Sequence, residues 1–168
     1  VSPEVIMNHE TYESGAFAEG IDSAISNKEE IRSIIEGISG RELGEDWFPY
    51  SPIGSNGSLD GVTVTGYERP FVRWVDSLGV EGESDIRTAG GKMPWRIDWA
   101  ARWIIHGITC EPAGKDHGAA GGSFDTGIPI CKLLGGDPPD KIVYEWIQLK
   151  GMGPMSSSSG LTIGPMEA

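Results

Sequence analysis

A chain of 168 residues, 38% hydrophobic and 23% charged, is long enough for one domain with a sizeable core, and this ordinary globular composition excludes a disordered chain. Asp and Glu outnumber Lys and Arg by 25 to 13, a formal net charge of -12, so a broad basic surface for nucleic acid is excluded and a polyanion, if bound, is held mainly elsewhere. No apolar run approaches the roughly 18 residues that span a bilayer, and the opening VSPEVIMNHE has neither the charged nor the apolar region of a signal peptide.

From Ser14 to Ile38 the residues Phe17, Ile21, Ile25, Ile31, Ile34, Ile35 and Ile38 recur at steps of three and four, which predicts two short helices. Ser26 with Glu29 has the pattern of a capping box that restarts the second, and Gly37 and Gly40 offer stops. Between Trp47 and Gly91 the turn-rich SPIGSNGSLDG, the alternating GVTVTGYE and the extended RPFVRWV predict a small β-hairpin subdomain resting on Val62, Val64, Phe71 and Trp74.

The helical period returns after Pro94 with Trp95, Trp99, Trp103 and His106 on one stripe, and Gly107 marks its end. A strand-length GITCEP, the loop AGKDHG, a small-residue helix GAAGGSFDTGIPICKLLGG and a strand KIVYEWIQL then give the order of a βαβ unit with a parallel sheet. In such a sheet ligands sit at the carboxyl ends of strands, where AGKDHG and the later GPMSSSSG both fall. Cys110 and Cys131 lack metal-like spacing and are expected as buried free thiols of a cytoplasmic protein.

Two readings stand beside each other for GKDHGAAGG: glycines, a helix start and Asp116 suit a nucleotide, and the same residues suit a helix cap with His117 packed. Trp95, at the helix start, is expected to face a pocket, and Trp99 and Trp103 the core. Tyr144 near a strand end offers its hydroxyl either to a ligand or to one core partner. The run GPMSSSSG reads either as a flexible linker or as a mobile loop of backbone N–H and hydroxyl donors around a phosphate. His9, His106 and His117 do not cluster as metal ligands, and no nucleophile elbow is present.

MPWRIDWAARW (93–103), GITCEPAGKDHGAAGGSFDTG (107–127), YEWIQLKG (144–151) and MSSSSG (155–160), with EDWFPYSPI (45–53) and EGESDIRTAGGK (81–92) upstream, resemble the archaeal-type class I lysyl-tRNA synthetases along essentially the whole chain. The resemblance implies ATP-dependent activation of lysine to an adenylate and its transfer to tRNA-Lys, with Mg2+, in the cytoplasm and without a membrane. The implied fold is α/β: residues 1–46 the helical part of a connecting insertion, 47–92 a hairpin subdomain like a zinc knuckle, and 93–168 the second half of a Rossmann-like catalytic core, a parallel sheet with flanking helices.

By the same likeness Met155, Ser156, Ser157, Ser158 and Ser159 form a KMSKS-like catalytic loop, although the lysines of that signature are replaced here and Lys150 is the nearest cation. Gly114, Asp116 and Gly121 border the adenosine, Trp95, His117 and Tyr144 line the amino-acid pocket, and Asp98, Glu111, Asp125 and Glu145 are candidate partners of the substrate ammonium. Gly54, Gly57, Asp76 and Val80 stand where relatives carry zinc-binding cysteines, so no zinc is expected and the hairpin is expected to be among the least stable regions.

Val1 in place of an initiating Met, and an ending in GPMEA where a new element opens, are read as the marks of an internal fragment, inactive alone, with tRNA-Lys held largely by regions outside it. The rival reading is a non-catalytic nucleotide- or amino-acid-binding paralogue of a class I synthetase.

Overall fold

The computed structural model describes residues 2–145, 148–149, 151, 153–155 and 160. Three helices come first: α1 Asn8–Glu13, α2 Ala18–Ser26 and α3 Lys28–Ser39. The periodic apolar face is real, with Phe17, Ile21 and Ile31 fully buried, but the helix restart differs from expectation. Ser26 closes α2, and no capping box forms at its hydroxyl. The break falls at Asn27, whose side-chain amide donates back to the Ser23 carbonyl at 2.8 Å and so satisfies the end of α2. Gly37 lies inside α3. Gly40 provides the stop, at φ 65°, a left-handed conformation that costs glycine no Cβ clash.

Next come β1 Ser51–Pro52, β2 Val62–Glu68, β3 Phe71–Asp76, β4 Glu81–Asp85 and β5 Gly91–Lys92. β2, β3 and β4 form an antiparallel sheet in that order, and β1 pairs with β5. The expected hairpin therefore has a third strand, built from the polar EGESD. Its place is fixed by Trp74, whose indole N–H donates to Ser84 Oγ at 3.0 Å, while that hydroxyl donates to the Gly90 carbonyl.

Side chains on a strand alternate, so Phe71 and Trp74 cannot share a face. Val72, Trp74 and Asp76 point inward, and Phe71, expected in the core, is exposed.

Gly54, Gly57, Asp76 and Val80, the positions that the resemblance assigns to zinc-binding cysteines, do not fit a zinc ion: three have no side-chain ligand atom and the carboxylate of the fourth is occupied. Asp76 Oδ2 accepts the Ser55 N–H at 3.1 Å and the Ser55 hydroxyl at 2.5 Å, and Oδ1 accepts the N–H groups of Leu78 and Val80 at 2.9 and 3.0 Å. A Cβ on Gly54 would stand 3.3 Å from that of Asp76, so the turns meet at this carboxylate. It ties two turns together from the side of one of them.

The chain then forms α4 Trp95–Ile105, β6 Cys110–Gly114, α5 Lys115–Gly118, α6 Ser123–Leu133, β7 Asp140–Tyr144 and the short antiparallel pair β8 Gln148–Leu149 and β9 Gly153–Pro154. β6 and β7 are parallel with Gly114 opposite Tyr144, and α6 lies in the connection between them, the βαβ order expected from the sequence. The loop AGKDHG contains the single turn α5, and the strand expected over KIVYEWIQL ends at Tyr144. Of the two cysteines, Cys131 is buried, but Cys110, at the start of β6, is exposed.

Trp99, Trp103 and Phe124 form the seam between α4 and α6, with ring centroids 4.9 to 5.8 Å apart. Buried Asp98 pins the N-terminal helix to α4: its Oδ2 accepts the Tyr12 hydroxyl at 2.7 Å, and Arg102 Nε lies 2.8 Å from its Oδ1. One core cluster, from Tyr12 to Cys131, joins α1, α2, α3, β3, α4, β6 and α6.

Two outcomes follow. Trp103→Ala, emptying a fully buried site, lowers unfolding free energy by about 3–5 kcal/mol in chemical denaturation. The hydrogen bonds from Ser55, and then those from Val80 and Leu78, hold the Asp76 carboxyl below its usual range against the effect of burial. Its stabilisation is complete above the ordinary aspartate value of about 3.9 and is lost as pH falls through the depressed folded value. Asp76→Asn therefore lowers the melting temperature at pH 7 and flattens its fall below pH ~4; melting curves that keep their acid slope contradict this role.

Candidate functional site

The carboxyl ends of β6 and β7 carry Gly114 and Tyr144, and the turn that follows β6 carries Asp116 and His117. A Cβ on Gly114 would come 2.8 Å from Asp116 Oδ1 and 3.8 Å from the Tyr144 ring, so this residue lets the carboxylate fold back over the strand end. Asp116 makes no side-chain cap to α5. Its Oδ2 lies 3.3 Å from His117 Nε2, and His117 Nδ1 lies 3.3 Å from Ser123 Oγ, at the start of α6. The Asp116 contact is an ion pair when the ring is protonated, and the Ser123 hydroxyl donates to or accepts from Nδ1 according to the tautomer.

Trp95 stands on the open side of this pair. Its ring centroid is 5.5 Å from that of His117 with the planes at 69°, an edge-on packing, and Trp99 approaches the same imidazole at 6.1 Å. Trp95 is 49% exposed and Tyr144 53%, which leaves two aromatic surfaces and a half-exposed imidazole together at the strand tips. Trp103 is buried as expected, its indole N–H donating to Glu111 Oε2 at 3.1 Å.

A second set of contacts holds the tips in place. Lys141, on β7, donates to the Gly118 carbonyl at 3.0 Å and Asp125 Oδ1 at 3.1 Å, and its ammonium lies 5.3 Å from the Phe124 ring centre. Asp125 Oδ2 accepts the Gly121 N–H at 3.0 Å. Lys141 first, and then the Gly121 N–H, hold the Asp125 carboxyl below its usual range. Across the strand ends Lys115 Nζ pairs with Glu145 Oε1 at 2.9 Å.

Of the residues expected from sequence, Trp95, His117, Asp116, Gly114 and Tyr144 converge here. Gly121 lies on the adjoining turn, at φ 76°. Met155 follows β9 and is half-buried, and Ser156, Ser157, Ser158, Ser159 and Lys150 lie outside the described residues. The four carboxylates proposed for an ammonium already have partners: Asp98 bonds Tyr12, Glu111 bonds Trp103, Asp125 bonds Lys141 and Glu145 bonds Lys115. Sequence reasoning missed Ser123 and Lys141. A serine opening a helix after a Gly-Gly pair was a visible signal for the first, and nothing local marks the second.

This constellation, at the tips of a parallel βαβ unit behind a tryptophan-bearing helix, coincides with a family-wide match. The family model described as tRNA synthetases class I (K) matches residues 1–168, and the chain belongs to that family. Among curated relatives it is 44% identical to the lysine–tRNA ligase of Thermoplasma acidophilum over 99% of this chain and 33% of that protein. It is 43% identical to the lysine–tRNA ligase of Picrophilus torridus, covering 99% of this chain and 34% of the relative, and 41% identical to that of Archaeoglobus fulgidus, covering 95% and 33%. The chain thus spans about a third of the length of the curated relatives it matches. Among the described residues no helix is long and apolar enough to cross a membrane.

Lys141→Met removes the tie between β7 and the α5–α6 turn. We expect a loss of about 1 kcal/mol, between the values for charged hydrogen bonds and half-exposed ion pairs, read as a lower urea midpoint. An unshifted midpoint contradicts the tie.

Proposed function

We propose that the chain forms part of a lysine–tRNA ligase that activates lysine with ATP and passes the lysyl group to tRNA-Lys, in the cytoplasm. The observation that carries the reading is the meeting of Trp95, Asp116, His117 and Tyr144 at the tips of β6 and β7, in a chain matched end to end by this family. Residues 93–168 then act as the second half of a Rossmann-like core, and 1–46 and 47–92 as the helical and β parts of its insertion.

Lysine lies against Trp95, His117 and Tyr144, where aromatic faces suit both its alkyl stem and its ammonium. Gly114, Asp116 and Gly121 border the adenosine, and the segment Met155 to Ser159 covers the phosphates with N–H and hydroxyl donors.

In the first step the lysine carboxylate attacks the α-phosphorus, the bond to the β-phosphate breaks, and pyrophosphate leaves. In the second a ribose hydroxyl of the tRNA attacks the lysyl carbonyl and AMP departs. Such transfer rests on positioning and on stabilising charge at phosphorus. His117 serves as a held surface here: Ser123 Oγ lies at its Nδ1, and Trp95 and Trp99 pack edge-on against the ring. Mg2+ bound with ATP would supply charge neutralisation at the phosphates.

The test is lysine-dependent ATP–pyrophosphate exchange by the full-length polypeptide that carries these residues. We expect Trp95→Ala and His117→Ala each to raise the KM for lysine about tenfold or more, with melting temperatures close to that of the parent. Unchanged lysine kinetics in both variants would remove this placement of the pocket. No exchange by a folded parent would favour a non-catalytic paralogue, the reading suggested by the missing lysines of MSSSSG.

A further inference from the structure

At the start of a helix a serine hydroxyl ordinarily accepts from the helix's own free N–H groups. Ser123, which opens α6, does otherwise. No side chain caps this helix, and among the described residues the partner of Ser123 Oγ is Nδ1 of His117, at 3.3 Å. Ser123 is 5% exposed, and a hydroxyl so far off the surface is retained where it has a partner. The backbone is shaped for the same contact. A Cβ on Gly122 would stand 2.4 Å from the His117 carbonyl oxygen and 2.7 Å from that of Ala119, so glycine lets the start of α6 come this close to the turn that carries the imidazole. The Thr126 hydroxyl, donating to the Ser123 carbonyl at 2.7 Å, holds that first turn of α6.

What the hydroxyl supplies to the imidazole is a choice of orientation. The χ2 torsion of histidine is broad and roughly two-fold, so a half turn of the ring exchanges nitrogens for carbons with little change of shape. Trp95 and Trp99 do not make that choice, since they meet the ring edge-on at 69° and 72°, and apolar packing fits either orientation. Asp116 is the neighbour of His117 on the same single turn, and both side chains are half-exposed. Ser123 is the polar contact that reaches the ring from a different element, a helix rooted in the core by Phe124 and Ile130. With Nδ1 at Ser123, Nε2 lies on the side of Asp116, 3.3 Å from its Oδ2.

We propose that Ser123 is a positioning residue for the amino-acid substrate: its hydroxyl selects the ring orientation of His117 that turns Nε2, rather than a carbon, toward Asp116 and the tips of β6 and β7. Being buried, Ser123 acts through His117 and touches no substrate. The inference rests on the placement of lysine against His117. Without the hydroxyl, Nδ1 is left facing a methyl group and the ring turns it toward solvent instead. Lysine then binds only the minority of molecules in the productive orientation, and its KM rises by the inverse of that fraction. Chemistry at phosphorus, once lysine is bound, is unaffected.

The experiment is lysine-dependent ATP–pyrophosphate exchange by the full-length polypeptide that carries this chain, as the parent, Ser123→Ala, His117→Ala and the double variant. We expect Ser123→Ala to raise the KM for lysine about fivefold, with kcat, the KM for ATP and the melting temperature close to those of the parent. In the His117→Ala background the same change has no further effect on the KM for lysine, because a residue that acts through another has nothing to add once that residue is gone. Equal losses in the two backgrounds, or a rise in both KM values with a lowered melting temperature, overturn the proposal and assign Ser123 to the packing of α6. Parent-like lysine kinetics in Ser123→Ala beside impaired kinetics in His117→Ala also overturn it and leave the pocket in place. Parent-like kinetics in His117→Ala remove the pocket reading and this inference together.

Discussion

Packing of half-buried Trp99 with buried Trp103 and Phe124 between α4 and α6 is the interaction on which the rest of the arrangement depends. These rings, with centroids 4.9 to 5.8 Å apart, join the helix that follows the β insertion to the βαβ unit. The seam sets the position of α4 relative to β6 and α6. That in turn decides that Trp95, one turn before Trp99, ends against His117, which reaches it from the tip of β6. Take the seam away and the pocket residues remain in the sequence but lose their common address.

Charge is used in this molecule mainly to tie turns. Asp76 closes two loops of the β sheet, Asp98 joins α1 to α4, and Asp125 joins the α5–α6 turn to β7 through Lys141. Each is a carboxylate that accepts several donors, the condition under which a carboxylate off the open surface is favourable. Asp76 is instructive because it is one of the four positions, with Gly54, Gly57 and Val80, that the family resemblance assigns to zinc-binding cysteines. Four hydrogen bonds from two turns converge on one carboxylate and hold the turns together by local polar closure. A metal would hold them through four ligand bonds.

Arg41 and Arg96 stand apart from these ties: they share a cleft with Asp46, and among the described residues neither has an ion-pair partner. Trp95 borders both this cleft and the imidazole of His117. One side chain thus separates a cationic, aromatic groove from an imidazole–carboxylate pair.

The amino-acid sequence by itself determined the features governed by neighbours along the chain. The isoleucine periods of α2 and α3, the stop at Gly40, the tryptophan stripe of α4 and the βαβ order were legible because they rest on contacts three or four residues apart and on glycine's backbone freedom. Its motifs also carried the family likeness. Tertiary structure decided the inward face of β3, the polar strand β4, the exposure of Cys110 and the partners of every candidate carboxylate. Those outcomes turn on hydrogen bonds between groups 21 residues apart, as for Ser55 and Asp76, or 86 apart, as for Tyr12 and Asp98. Whether a carboxylate is free for a ligand or already satisfied depends on what the folded chain brings to it, and no local pattern encodes that.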